Sequence, residues 1–344
     1  MKRRKRCIIA GVALAVLTAM TALTGCQGRS KEGETKIIRV AFNQNEIHPE
    51  YIAMVEFGEK FKEATGGKYE VQVYPNAIMG DQGPVTELVR TGALQMAIVP
   101  AAVPESYNRD FAILSAPYLY DNIEQMREAA KAGVFDELFE TTRKYNFEIV
   151  TLYTSGARHI YTNKPINTPE DLKGYKIRVM DSDAYIRMAG LMGGVGTPMS
   201  QGEVYTAIQQ KVIEGGENSE VVYDNFKHYE IAPYFSYTNH LVMADVVVAN
   251  EDFLAQMDAK TRETFDRLLE ESMIREFDLW NASIDESIAR VKDQGVTFVY
   301  PDQELFRKRC EPLLMEIAGQ SEMTKEIYDN ITRIKAGMGE ENDG

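Results

Sequence analysis

Apolar residues along this chain switch repeatedly between a spacing of two and a spacing of three or four. Ile37 to Phe42 is a run of β-forming residues. Pro49 to Thr65 is a helical run with Ile52, Val55 and Phe61 along one side, and Gly66-Gly67 stops it. Tyr69 to Tyr74 alternates with period two and ends at Pro75. The pattern continues with a helix near Pro84 to Arg90, a strand Met96 to Val99, a helix Asn122 to Tyr145 and a strand Phe147 to Leu152. Strands alternating with helices predict an α/β fold with largely parallel sheets.

Later in the chain one helical pattern persists unusually long. Phe265, Leu269, Met273, Phe277, Trp280, Ile284 and Ile288 recur at steps of three or four, with no proline between Phe253 and Tyr300. A helix of about forty residues would span roughly 60 Å, the length of two stacked small domains. The alternative is two ordinary helices with a break near Asn281-Ala282-Ser283.

The N-terminus has a different character. An unbroken basic run, Lys2 to Arg6, precedes an apolar stretch from about Cys7 to Met20 and then Leu23-Thr24-Gly25-Cys26. Basic, apolar and small residues in that order form the signal-peptide pattern, and the last four resemble a lipobox, whose cysteine is lipidated and begins the mature chain. An uncleaved membrane anchor is the alternative, since the apolar run is only slightly short of a span. Residues 1–25 therefore read as a lipoprotein signal peptide and 26–35 as a polar tether.

Removing residues 1–25 takes five basic groups and no acidic ones, which moves the formal net charge from −14 to −19. So acidic a chain argues against nucleic acid and against an electrostatic hold on anionic lipid. It also means that capturing an anion requires arginines placed locally against the global field. With Cys7 removed and Cys26 acylated, Cys310 is the one remaining thiol, so no intramolecular disulfide and no cysteine metal site is expected. The four histidines (His48, His159, His228, His240) show no ligand spacing, and no metal or other cofactor is expected.

The densest motif lies between Asp171 and Glu220. Asp171-Leu172-Lys173-Gly174-Tyr175-Lys176-Ile177-Arg178-Val179 leads to Glu203-Val204-Tyr205-Thr206-Ala207 and then to Glu214-Gly215-Gly216-Glu217-Asn218. A short strand presents one arginine, a helix follows, and a glycine pair delivers a lone asparagine. This order resembles the extracytoplasmic solute-binding proteins of tripartite ATP-independent periplasmic (TRAP) transporters, the family named after its C4-dicarboxylate-binding member. Further fragments extend the resemblance over nearly the whole mature chain: Tyr74-Pro75-Asn76, Met79-Gly80-Asp81-Gln82, Gly92 to Ala97, Ala116 to Tyr120, Gly156-Ala157-Arg158, Pro198-Met199 and Thr238-Asn239-His240. Two positions depart from it. Ser219 stands where the family commonly has proline, and Glu214 where it often has aspartate. Pro100 occupies a place where sialic-acid-binding relatives put a polar contact, which counts against that substrate.

The resemblance implies a two-domain clamshell like that of periplasmic binding proteins, with discontinuous domains and the long helix spanning both. One domain would comprise residues 36–155 and 244–283, the other 156–243 and 284–340, with hinges near Ser155, Ala244 and the long helix. A carboxylate leaving water needs paired donors, and a guanidinium supplies two in one plane. The resemblance assigns that role to Arg178; a structural salt bridge is the alternative on a chain with 52 acidic residues. Arg158 and Asn218 are further candidates for the carboxylate end, Gln82 and Asn43 for the polar tail, His240 as a brace from behind, and Tyr223 as a cleft residue. Polar Asn43 and Gln82 opposite the arginine favour a hydroxylated acid, a uronate or aldonate, over a C4-dicarboxylate.

The implied partners are an organic acid and the subunits of a membrane permease, on the outer face of the cell membrane. A surface enzyme acting on sugars is the competing class. No Gly-x-Ser-x-Gly, His-Glu-x-x-His, phosphate-loop motif or cysteine pair supports it. A binding subunit of an ATP-driven importer shares the expected architecture but not the motif order.

Overall fold

In the computed structural model, residues 35–342 are described; the basic and apolar N-terminal run and Cys26 lie outside the described residues. The chain begins as its periodicity predicts, with β1 (Lys36–Ala41), α1 (Pro49–Ala64), β2 (Tyr69–Tyr74), α2 (Gln82–Arg90) and β3 (Met96–Pro100). Proline at the first turn suits α1, because the N–H it lacks would have no intrahelical acceptor there. Its buried stripe is Ala53, Met54, Phe57, Gly58 and Phe61, with Ile52 and Val55 only half-buried. The stripe is displaced because the helix packs against two elements at once, with Gly58 against Val71 of β2 and Phe57 against Phe265 of a later helix.

The expected single helix from Asn122 to Tyr145 is broken into α3 (Ile123–Lys131) and α4 (Asp136–Glu140). After α3 the Val134 N–H closes back on the Ala129 carbonyl at 3.1 Å, a helix-ending bond of the kind Gly133 permits. The expected strand from Phe147 to Leu152 is instead the first third of β4 (Phe147–Thr162).

The second half of the chain supplies β5 (Lys176–Val179), α5 (Asp183–Leu191), β6 (Val195–Pro198), α6 (Val204–Gln209), β7 (Gly215–Asn218), α7 (Glu220–Asn225) and β8 (Tyr234–Asn250). It ends with α8 (Glu251–Leu254), α9 (Ala259–Asp293), β9 (Thr297–Val299), α10 (Gln303–Ala318) and α11 (Glu322–Asn342). The strands run in the order β2-β1-β3-β8-β4-β7-β5-β6, with β9 on β8. Parallel pairs lie towards the ends of that order, but its centre is antiparallel: β8 pairs antiparallel with both β3 and β4, and β4 with β7. The prediction of largely parallel sheets fails there.

β4 and β8, with 16 and 17 residues, are the long strands at the centre of the sheet. Their ladder is interrupted between Thr154 and Ala157, opposite the Val242–Ala244 stretch. Gly156 occupies the interruption with φ +78°, and a Cβ there would lie 2.6 Å from the buried Trp280 indole. Glycine thus meets two demands at once, a left-handed backbone and close approach of a ring.

Trp280 sits on α9, which runs unbroken for 35 residues, or roughly 52 Å. It packs on α1 near its start and on α7 near its end, so one rigid element ties the early part of the chain to the later part. One apolar cluster gathers β1, β3, α1 and the first turns of α9 around Phe57, Phe61 and Phe265. A second joins α6 and α7 to Val291 near the far end of α9. Burying each such phenylalanine is worth roughly 1.5–3 kcal/mol, which is what holds α9 to the sheet at either end. The last helix, α11, lies against α3 and the turn Arg109–Ser115. Among the described residues no helix is long and apolar enough to cross a membrane.

Candidate functional site

β5 starts where Thr168 and Asp171 cap a short helical turn reciprocally, which fixes the direction of the chain entering Lys176. β6 and β7 flank β5 in parallel, so its backbone is held on both sides. In register, Arg178 lies beside Thr197 on one side and Gly216 on the other. Gly216 lets β7 lie close to Tyr161, whose hydroxyl would be 2.5 Å from an added Cβ. The carboxyl ends of parallel strands are the usual place for a ligand in such sheets.

Here they open on a cavity of about 1170 Å³. Arg178, Met199, Gln201 and Phe226 line it from the later part of the chain, and Asn43, Asn45, Gln82 and Glu105 from the earlier part. Arg178 is 3 % exposed. Its Nε donates to the Met199 carbonyl and its Nη1 to Gln201 Oε1, both at 3.0 Å. These bonds aim the guanidinium without neutralising it. Among the described residues, Arg178 has no carboxylate partner, and its Nη2 has no protein acceptor. Burial lowers the pKa of this arginine, and the Glu217 charge, which forms no ion pair with it, offsets that only in part.

Arg158 has the opposite surroundings. It is 1 % exposed and does not line the cavity. Glu217 takes its Nε and, at 2.8 Å, its Nη2, while the Glu217 carbonyl accepts a further bond at 2.8 Å. Burial alone would pull this guanidinium down, but the Glu217 charge and its hydrogen bonds outweigh burial and leave it raised. Burial likewise pushes the Glu217 carboxyl up, yet Arg158 overrides it and holds the pKa at about 2. Completing the cluster, His240 lies 3.4 Å from Glu217 through Nε2 and 2.8 Å from Thr238 Oγ1 through Nδ1. Burial lowers its pKa, which keeps the ring neutral.

Asn218 links the two arginines. Its Oδ1 accepts from Arg158 Nη1 at 3.1 Å, and its Nδ2 points to Gln201 Oε1 at 3.4 Å, the same oxygen that receives Arg178. The Ser219 N–H also donates to Asn218 Oδ1 at 3.0 Å, a bond that proline could not make. Of the other residues singled out in the sequence, Asn43 and Gln82 line the cavity. Tyr223 does not: it is buried in an apolar cluster, and its hydroxyl donates to the Ala232 carbonyl at 2.7 Å. The structure adds Gln201, Asn225, Phe226 and Glu105. Nothing in their local sequence marks them, since they reach the cavity from turns and short helices.

The wall is polar in a particular way. Gln201 Nε2, Asn225 Nδ2 and Asn45 Oδ1 are buried and have no protein partner, which offers two donors and an acceptor to whatever occupies the cavity. The half-buried Phe226 ring supplies an apolar patch beside them. One unpaired guanidinium, a set of neutral hydrogen-bonding groups and a ring face suit a small polyhydroxylated anion.

The model of the bacterial extracellular solute-binding protein family 7 matches residues 40–321. The chain belongs to this family. A solute-binding protein of Chromohalobacter salexigens is 30 % identical over 322 residues, covering 89 % of this chain and 90 % of that one. Among solved structures, a TRAP periplasmic solute-binding protein of Anaerococcus prevotii with bound α/β-D-glucuronate is similar at 34 % identity, covering 88 % of this chain and 99 % of that one, with a TM-score of 0.85. A TRAP periplasmic solute-binding protein of Xanthobacter autotrophicus with bound β-D-galacturonate is 29 % identical, covering 87 % and 99 %, with a TM-score of 0.82. This family-7 protein is therefore a solute-binding protein of the TRAP type with the two-domain fold.

Proposed function

We propose that this protein captures a hexuronate outside the cytoplasm and delivers it to a TRAP permease in the membrane, without chemical conversion. The observation that carries the reading is Arg178, a buried guanidinium with no carboxylate partner among the described residues. Such a group is costly unless a ligand anion completes it. The uronate carboxylate would take the free edge of Arg178, and its ring hydroxyls would meet Gln201, Asn225, Asn43 and Gln82. The glucuronate and galacturonate in the two similar structures support this chemistry.

Closure follows from the lobe arrangement. Residues 36–155 with 244–283 and residues 156–243 with 284–340 form the two moving bodies, hinged near Ser155 and Ala244 and along α9. Lipidation of Cys26 holds the mature protein to the outer face of the membrane, since one segment near the N-terminus combines the basic, apolar and lipobox features.

Calorimetry and thermal shift against D-glucuronate, D-galacturonate, L-malate and succinate test the ligand class. A uronate at 100 times its Kd stabilises by about 2.7 kcal/mol, which raises Tm by about 4 °C for a chain of this size. A protein that responds to malate or succinate and to neither uronate overturns the reading, and so does any conversion of the bound sugar acid. Anchoring is tested separately: Cys26→Ser is expected to appear unprocessed or in the soluble fraction. Membrane-bound mutant cleaved before residue 26 would refute the lipid anchor.

A further inference from the structure

The cavity holds a second titratable group that the capture of a carboxylate does not use, Glu105, whose pKa burial raises while hydrogen bonds from Ser115 and Ser182 oppose that rise. Glu105 lines it from the turn after β3, in a half-buried position. Ser115 Oγ donates to its Oε1 at 2.6 Å and Ser182 Oγ to its Oε2 at 2.9 Å. Both serines are buried, so the carboxylate is fixed in direction. Ser115 belongs to the earlier part of the chain and Ser182 to the later part. Ser182 also follows Arg178 by four residues, which keeps the two Cα atoms within about 14 Å. Guanidinium and carboxylate thus face one cavity from neighbouring wall segments, yet they form no ion pair with each other.

The charges around them decide what fits. Besides Glu105, the exposed Asp181 and Asp183 stand on the same wall. Arg187 reaches Asp183 at 3.5 Å, but Glu316, which lines the same cavity, takes it through two shorter bonds of 2.8 and 2.6 Å, so this surface cluster carries no net positive charge. Arg109 also lines the cavity, but it is exposed and its field is screened by water. One buried, unpaired cation therefore confronts a fixed carboxylate, which leaves room for a single anionic group.

We propose that Glu105 is the specificity determinant of this site, its carboxylate accepting hydrogen bonds from the hydroxyls of a monoanionic sugar acid and turning away any ligand with a second carboxylate. An ionised carboxylate is an acceptor only, so it rewards a hydroxyl at that position and penalises another acceptor. The first half of the assignment rests on the uronate reading; the rejection of dianions does not.

The test compares D-glucuronate with D-glucarate, the same carbon chain with a carboxylate at both ends, and with L-malate. Titration calorimetry at pH 7 and fixed salt is run on wild type, Glu105→Gln and Glu105→Ala, with unliganded melting curves to establish folding. Wild type is expected to favour glucuronate over glucarate by 100-fold or more. Glu105→Gln removes charge-assisted hydrogen bonds and should weaken glucuronate by about 10- to 100-fold. Glucarate and malate should bind at least about 10-fold more tightly than they do to wild type, because a like-charge contact has gone. Glu105→Ala covers the case in which glutamine misfolds, and it should narrow the ratio in the same direction. A folded variant that keeps the wild-type ratio overturns the proposal, as does a wild type that binds glucarate as tightly as glucuronate. If wild type binds no uronate, the uronate reading falls, and the dicarboxylate arms still decide Glu105: affinity gained supports it and affinity unchanged refutes it.

Discussion

Arg178→Ala is expected to weaken glucuronate binding by about 30- to several-thousand-fold, the consequence of losing roughly 2–5 kcal/mol from a desolvated charge pair. The unliganded protein should melt at or slightly above the wild-type temperature. Arg178 gives up two bonds, to the Met199 carbonyl and Gln201, but it is a buried charge that no carboxylate pairs with directly, Glu217 offsetting its burial only in part, so its removal also ends a desolvation penalty. β5 itself is secured by the ladders to β6 and β7. Arg178→Lys keeps the charge and loses the planar fork, so its affinity should fall between alanine and wild type. Calorimetry and melting curves on both variants decide the matter. Near-normal affinity in a folded Arg178→Ala protein would remove this residue from the binding mechanism, and a large drop in Tm would make it structural instead.

The same change at Arg158 should act on stability. Arg158→Met strands Glu217 in the interior with only His240 beside it, and breaking such a pair costs about 3–5 kcal/mol at pH 7. Acid should affect the two proteins in opposite directions. In wild type the Glu217 pKa is about 2, below its ordinary value of 4.5, so its contribution is complete above pH 4.5 and fades as pH falls towards 2. Without Arg158, burial raises the carboxyl above 4.5, and the variant loses stability as pH rises through that higher value. Urea unfolding at pH 4, 5.5 and 7 should therefore show the gap closing on acidification. The double variant Arg158→Met/Glu217→Gln should recover most of the loss at pH 7, since neither charge is then left alone. A single variant within 1 kcal/mol of wild type at every pH would refute this account. Glucuronate affinity in the double variant further separates a purely structural Arg158 from one that also reaches the ligand.

These two arginines show where sequence reasoning stops. Both stand in recognisable motifs, on strands, in a strongly acidic chain. Which of them has a carboxylate beside it depends on β7, whose Glu217 lies 59 residues beyond Arg158 and sits one strand over. The residue types disclose the capacity to bind a carboxylate, while pairing is a property of the assembled sheet. Tyr223 makes the same point. Its place in the chain resembles that of a cleft residue, but the packing of α7 on Phe235 and Tyr161 turns the ring inward.

What the sequence by itself determined is local or periodic. The α/β class, the opening β1-α1-β2 succession, the helical period along α9 and the strand carrying Arg178 all follow from spacings within about forty residues, because helix and strand impose their own periods on the apolar positions, whereas those spacings leave open the continuity of α9 past Asn281. The family order of short motifs reinforced each of them. Tertiary structure decided the rest. It extended β4 and β8 beyond their apolar runs, through polar residues such as Thr154 and Ser155 that are buried in the assembled sheet. The antiparallel centre of the sheet came from that pairing of strands about 90 residues apart, which no local pattern encodes. It also gathered Glu105, Ser182, Gln201 and Arg178 around one cavity from separate connections. A turn's contribution to a site depends on where the sheet delivers it, and that is settled only when the distant strands have paired.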